Sequence, residues 1–413
     1  DRAILMKITK KNVDDATIQM RQVFGATPLQ KNRHLSELYN SSIWLKREDL
    51  SPVRSYKIRG AFNAIRKRID QEHFVCASAG NHAQGVSFVT NFFSKKATIF
   101  MPVTTPQQKI NKTKIFGRDN IEIILIGDFF DDCLHEAQKF AKKNNAYFLS
   151  PFDDLDVIEG QASVASEIDE QMKKTPDLII MPVGGGGLSA GIISYFGKNC
   201  DYVFVEPTGA ASLEAAMTNN KPIRLEKIDN FTDGASVAQI GKRNFQILAK
   251  YHNSLRLNIP ENRICTTMLE MLDIEGIVLE PAGALAIDSL KDLRDIIFKK
   301  NVVCITTGGN FDFERLPEVK ERARRFSGLK KYIILQLPQR PGSLKDFLNM
   351  LGPDEDITQF EYLKKSARNF GSVLLGIESS SPKKFQILFN RLNEANLTFK
   401  DITDDEILSQ FLI

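Results

Sequence analysis

A chain of 413 residues, 42% hydrophobic and 26% charged, is long enough for two or three domains and apolar enough for a substantial core. Its 55 basic and 51 acidic residues leave a net charge of +4, too balanced to imply a nucleic-acid partner or an anionic membrane surface. Five scattered cysteines without Cys-x-x-Cys spacing argue against a disulfide framework or structural zinc, no apolar run approaches the roughly 18 residues of a membrane span, and no signal-peptide h-region opens the chain, so a reducing cytoplasm is expected.

Residues 1 to about 50 read as a helical lead-in and then an extended segment. Ser51 and Pro52 break the chain, and Lys57 opens a helix. Ile58, Ala61, Phe62, Ile65 and Ile69 recur there at helical spacing, with Arg59, Arg66 and Arg68 mostly on the other side. Apolar runs at residues 74–77, 97–101, 121–126, 178–183, 203–205 and 302–305 then alternate with helical patterns. Continuous β-branched runs of this kind predict buried parallel strands in an α/β architecture.

The character changes near residue 320, with Ser327-Gly328 as the expected hinge. A strand at 332–337, a turn, a helix capped by Ser343 and running to Met350, strands at 357–363 and 372–377, a helix at 382–395 and a last strand follow. This β-α-β-β-α-β order predicts a ferredoxin-like module. Such modules mostly sense small molecules or provide interaction surfaces.

Four features carry chemistry. Lys57 stands at the junction into its helix, where a lysine can be desolvated and its pKa lowered, as Schiff-base chemistry requires; the plainer alternative is a solvated surface lysine. Gly184, Gly185, Gly186 and Gly187 lie between an apolar strand and a helix beginning near Leu188. Successive backbone N–H groups can converge there without side-chain obstruction and, with the helix N-terminus, cradle a phosphate dianion; otherwise the glycines are a flexible loop. Their spacing fits neither a dinucleotide fingerprint nor a P-loop. Ser78, Ala79, Gly80, Asn81 and His82 form another strand-to-helix turn, suited to a substrate carboxylate or simply to a helix cap, and His82 alone reads as structural. Thr306, Thr307, Gly308, Gly309 and Asn310 close the last apolar strand of the large region, the end at which open α/β sheets gather ligands, though an ordinary polar turn would look the same.

Together these motifs resemble the pyridoxal-phosphate enzymes that include threonine dehydratase, serine racemase and the tryptophan synthase β chain, over residues of about 20 to 320. Ser-Tyr-Lys-Ile-Arg-Gly-Ala at 55–61, Ser-Ala-Gly-Asn-His-Ala-Gln-Gly at 78–85 and Gly-Gly-Gly-Gly-Leu at 184–188 carry the likeness. Residues 101–110 and 311–315 look like the biosynthetic threonine dehydratases in particular, and 339–344 and 360–363 resemble their ACT-like regulatory domain, present once as in the short form. The resemblance implies a tryptophan synthase β-like (fold type II) α/β domain of two subdomains over residues 1–326, the smaller at about 50–155, and a ferredoxin-like, ACT-like domain over 327–413.

It also implies roles. Lys57 would hold pyridoxal 5'-phosphate and act as base at the substrate Cα; Gly184, Gly185, Gly186, Gly187 and Leu188 would bind the phosphate; Asn81 would hydrogen-bond the phenolic oxygen. Ser78, with the N–H groups of Ala79, Gly80, Asn81 and His82 behind it, would hold the substrate carboxylate, and Ser78 is the candidate acid on the opposite face. Thr307 stands where the family usually has Ser, facing the ring nitrogen. A neutral hydroxyl there weakens the electron sink relative to Asp, so loss of a β-hydroxyl competes well with reprotonation.

Two departures accompany the match. Gln161-Ala162-Ser163 replaces Gln-Gly-Thr. Glu206 matches one carboxylate ligand of the divalent-metal site in serine racemase-like relatives, but Ser212 replaces the second, so no metal is expected and a local hydrogen-bonding role is favoured for Glu206. The expected activity is deamination of L-threonine, and of L-serine as an alternative substrate, at the entry to isoleucine biosynthesis. Isoleucine is the expected effector and a homotetramer the expected assembly. A catabolic dehydratase, a serine racemase and a non-catalytic amino-acid sensor remain alternatives. A lyase acting on a phosphorylated substrate would need further basic residues near Ser78, which the sequence does not display.

Overall fold

The computed structural model describes residues 8–363, 369–405, 407–408 and 411, so the first seven residues of the lead-in lie outside the described residues. The chain divides into two compact units, Asp1–Phe311 and Asp312–Ile413.

The first unit is built on two sheets. Strands β1 (Leu29–Lys31), β2 (Ser42–Arg47), β3 (His73–Ala77), β4 (Lys96–Met101), β5 (Ile121–Leu125), β6 (Tyr147–Phe148), β7 (Leu178–Pro182), β8 (Asp201–Pro207), β9 (Leu255–Ile259) and β10 (Asn301–Thr306) alternate with helices. The larger sheet has the order β1-β2-β10-β7-β8-β9, parallel except for the β1–β2 pair. The smaller, β5-β4-β3-β6, is wholly parallel. β7 is buried along its whole length, as expected of an apolar run covered on both faces. β1, β6 and β9 escape a reading by apolar runs: the first two are very short, and β9 is an edge strand in which Arg256 and Asn258 interrupt the leucines.

This topology places the chemistry. β2, β10 and β7 are neighbours, and their C-terminal ends lead to Lys57, to Thr307 and to the four glycines respectively. Three motifs distant in sequence thus share one edge, where a parallel sheet gathers ligands. The Ser78–His82 turn leaves the C-terminal end of β3 in the smaller sheet.

The second unit carries β11 (Lys330–Pro338), β12 (Glu355–Leu363), β13 (Phe370–Ser379) and β14 (Phe399–Asp401) in an antiparallel sheet of order β12-β13-β11-β14. Helices Ser343–Leu348 and Pro382–Glu394 complete the β-α-β-β-α-β order. Phe347, Phe385, Leu388 and Leu392 pack on the sheet residues Ile333, Leu335, Val373, Leu375 and Ile377. Two details differ from expectation. The cap of the first helix is Gly342, at φ +82°, and Ser343 is already helical. The helix Leu316–Phe326 groups with this unit because Lys330 and Tyr332 both hydrogen-bond Glu321 and Arg324 pairs with Glu378. No helix among the described residues is long and apolar enough to cross a membrane.

Candidate functional site

Lys57 is the first residue of the helix Lys57–Arg66. The preceding segment is stitched onto the β10 turn: Ser55 bridges Gly308, and the Tyr56 N–H donates to the Thr307 carbonyl at 3.2 Å. The half-buried Lys57 amine donates to the Pro151 carbonyl at 2.8 Å. Burial pushes its pKa down to about 8, and the nearby Glu280 opposes the change only partly. This is a lysine with a neutral form accessible near physiological pH.

The glycine turn runs from Gly184 into the helix Gly187–Phe196. Gly186 has φ +88°, a conformation that side-chain-bearing residues rarely adopt. Gly185 lies against Phe152 so closely that a Cβ would overlap the aromatic ring, and a Cβ on Gly187 would press on the Phe152 carbonyl. Gly185→Ala is therefore expected to displace the turn at a cost of about 1–3 kcal/mol, weakening phosphate-dependent ligand binding roughly 5- to 150-fold. Equilibrium titration with pyridoxal phosphate checks it.

Thr307 follows β10, and its Oγ1 is buried with no hydrogen-bond partner among the described residues. A buried hydroxyl without a partner is costly. One aimed at a ligand's hydrogen-bonding atom accounts for the vacancy in its bonding. The N–H groups of the glycine turn at a helix N-terminus, the Thr307 hydroxyl without a partner among the described residues and the neutralisable amine together form a donor set that fits a phosphorylated aromatic aldehyde.

The Ser78–His82 turn reaches the same place from the smaller sheet. Helix Asn81–Phe92 packs on the lysine helix at Gly85, where a Cβ would sit 3.1 Å from the Lys57 carbonyl. The Ser78 hydroxyl accepts the Gly80 N–H at 3.1 Å. His82 is different: its ring is buried, its Nε2 bonds the Leu149 carbonyl at 2.9 Å, and burial lowers its pKa to about 3. Only the His82 backbone is therefore available at the turn.

Asn81 Nδ2 donates to Glu280 at 2.7 Å, and Asn81 Oδ1 accepts from Asn310 at 2.7 Å. Asn310 in turn accepts a hydrogen bond from Lys112. Glu280 is buried, and burial, aided by Asp233, lifts its pKa to about 8 against the Asn81 N–H, Lys109 and Lys112. Sequence reading had not assigned Glu280. Its signal is an acid between the apolar stretch 277–279 and a proline-initiated helix, Pro281–Asp288. Helix Gln107–Gly117 brings Lys112 to Asn310 and Lys109 to Asp233 at 2.7 Å. Both amines are thereby engaged by protein groups.

Arg59 departs most from expectation. It does not share the partly exposed face of Arg66 and Arg68 but is fully buried, bonding Glu48 at 2.7 Å and Glu167 at 2.8 Å, while buried Lys46 bonds Glu167 at 2.8 Å. Burial raises the Glu167 pKa, but Arg59 and Lys46 outweigh it and hold the carboxyl below the usual range. Ser163, one of the departures noted above, accepts from Arg59 at 3.0 Å. Glu206 accepts the N–H groups of Leu213 at 2.6 Å and Glu214 at 3.0 Å, the local role favoured from the sequence.

Residues 20–308 match the model of the pyridoxal-phosphate dependent enzyme family, and residues 321–412 that of the C-terminal regulatory domain of threonine dehydratase. The chain is 43% identical over 418 residues to biosynthetic L-threonine dehydratase of Staphylococcus epidermidis and 42% over 417 residues to that of Staphylococcus aureus, covering 98% of this chain and 99% of each relative. Among solved structures it resembles the processed form of threonine deaminase isoform 2 from Solanum lycopersicum, with TM-score 0.70 and 32% identity over 76% of this chain and 93% of that one.

Proposed function

Because the chain belongs to the pyridoxal-phosphate dependent enzymes and, among them, to the biosynthetic threonine dehydratases, we propose that its site converts L-threonine into 2-oxobutanoate and ammonia. The observation that carries this reading is the meeting of an amine of lowered pKa, a glycine cradle and the unpartnered Thr307 hydroxyl at the ends of three adjacent strands.

Bound pyridoxal 5'-phosphate supplies an electron sink that acidifies an amino acid's Cα–H. Lys57 would hold it and would take the substrate Cα proton on Nζ. The N–H groups from Gly184 to Leu188 take the phosphate, and Thr307 meets the ring nitrogen as a neutral partner. Ser78 and the N–H groups of Ala79, Gly80, Asn81 and His82 hold the substrate carboxylate, with Ser78 as candidate acid opposite Lys57. Asn81 orients the phenolic oxygen. Glu280 keeps a proton beside Asn81 near neutral pH without adding a full negative charge. L-serine, lacking only the β-methyl group, is a second substrate.

The second unit binds a branched-chain amino acid, isoleucine first. It acts as an inhibitor only if it favours one conformational state over another. The active protein is a cytoplasmic homotetramer. A 2-oxobutanoate assay with L-threonine, with and without isoleucine, tests both halves. Turnover that falls with isoleucine is expected. Turnover indifferent to isoleucine would reassign the second unit to another effector or to assembly. No turnover from cofactor-loaded protein would leave an amino-acid sensor on the same fold.

A further inference from the structure

We infer that Asn244 is the positioning residue that shapes the glycine turn for a phosphate and sets its distance from Lys57; this rests on the proposed use of that turn for the cofactor. Asn244 lies in the helix Lys242–Leu248 and is fully buried. Its Nδ2 donates twice, to the Gly185 carbonyl at 2.7 Å and to the Phe152 carbonyl at 3.0 Å. Its Oδ1 is buried without a partner among the described residues, so the side chain works through its two N–H groups.

The two carbonyls belong to the two walls of the site. Phe152 stands between Pro151, whose carbonyl takes the Lys57 amine, and Asp153, whose carboxylate takes the N–H groups of Lys242 and Arg243 at 3.1 and 3.0 Å. Three consecutive residues thus tie the lysine, the cradle and the helix bearing Asn244. On the other wall, the Gly185 carbonyl also accepts the Gly241 N–H at 3.0 Å. In a trans peptide the carbonyl and the next N–H point in opposite directions. Drawing the Gly185 carbonyl toward Asn244 therefore turns the Gly186 N–H to the opposite side of the turn. Asn244 fixes where the cradle's donors aim while touching no ligand itself.

Asn244→Asp keeps the shape but sets acceptors against both carbonyls; Asn244→Ala removes the donors without adding charge. The full-length apo protein is titrated with pyridoxal phosphate and separately with pyridoxal, which lacks the phosphate, following the lysine-bound chromophore. Circular dichroism and thermal unfolding of the apo protein identify any variant that fails to fold, and the alanine variant then carries the test. Pyridoxal phosphate affinity is expected to fall by at least about tenfold and pyridoxal affinity by less than about twofold. An unchanged pyridoxal phosphate affinity, or equal losses for both ligands, would overturn the role of Asn244. A wild-type protein that does not prefer the phosphorylated ligand would instead overturn the use of the glycine turn for phosphate.

Discussion

Lys57→Ala is expected to lower threonine turnover by at least about 10,000-fold and to abolish the lysine-bound chromophore. The magnitude follows from two losses at one atom: the covalent hold on the cofactor and the base that accepts the Cα proton. The fold should be little affected, because among the described residues the amine makes one hydrogen bond, to the Pro151 carbonyl, worth about 1 kcal/mol. Turnover and stability therefore separate in this variant. The pH dependence has a defined sign. Lowering the amine pKa from 10.5 to about 8 raises its uncharged fraction roughly 300-fold at a pH of about 7 or below. Formation of the chromophore by apo protein should accelerate with pH and level off above about 8 rather than above 10. Steady-state assay of 2-oxobutanoate and absorbance titration measure both effects. Residual turnover above about 1% in Lys57→Ala would remove Lys57 from the chemistry.

The parts of this site that the sequence displays are those whose physics is local. An apolar strand ending in four glycines needs no distant partner to suggest a cradle, and Lys57 before a helical apolar pattern is visible within a few residues. What remained hidden depends on groups far along the chain. Glu280 becomes a site residue because Asn81, 199 positions away, donates to it. Pro151 and Phe152 matter through a carbonyl and a ring, features that residue type barely signals. Asn244 looks like any polar residue of a short helix until two carbonyls meet its amide. The ferredoxin-like order of the second unit is legible because three of its strands and its second helix are long and separately punctuated. The edge strand β9 was not, since its alternation carries too little apolar signal.

Arg59 shows the same limit and the largest structural consequence. Helical periodicity assigned it to the polar face, yet the partners that make its burial tolerable lie 11 residues before it, at Glu48, and 108 after it, at Glu167. Arg59→Ala leaves two carboxylates facing each other in the interior. Lys46 and Arg21 still bond Glu167, but among the described residues the Glu48 carboxylate keeps only the Thr27 hydroxyl, at 3.0 Å. Breaking a buried ion pair from one side costs about 3–5 kcal/mol, and the denaturation midpoint should fall accordingly. The first turn of the lysine helix is pinned through this side chain, two residues from Lys57, so kcat should fall as well even where the protein remains folded. Removing both sides of one pair distinguishes the cause. Arg59→Ala combined with Glu48→Gln leaves Lys46 with Glu167 and no unpaired charge at position 48, at the same side-chain volume as the single variant, and should recover more than half of the lost stability. Recovery of stability without recovery of kcat would assign Arg59 to aiming Lys57 as well as to holding the core. If the double variant is no more stable than Arg59→Ala, unpaired charge is not what destabilises it, and lost packing around the arginine is.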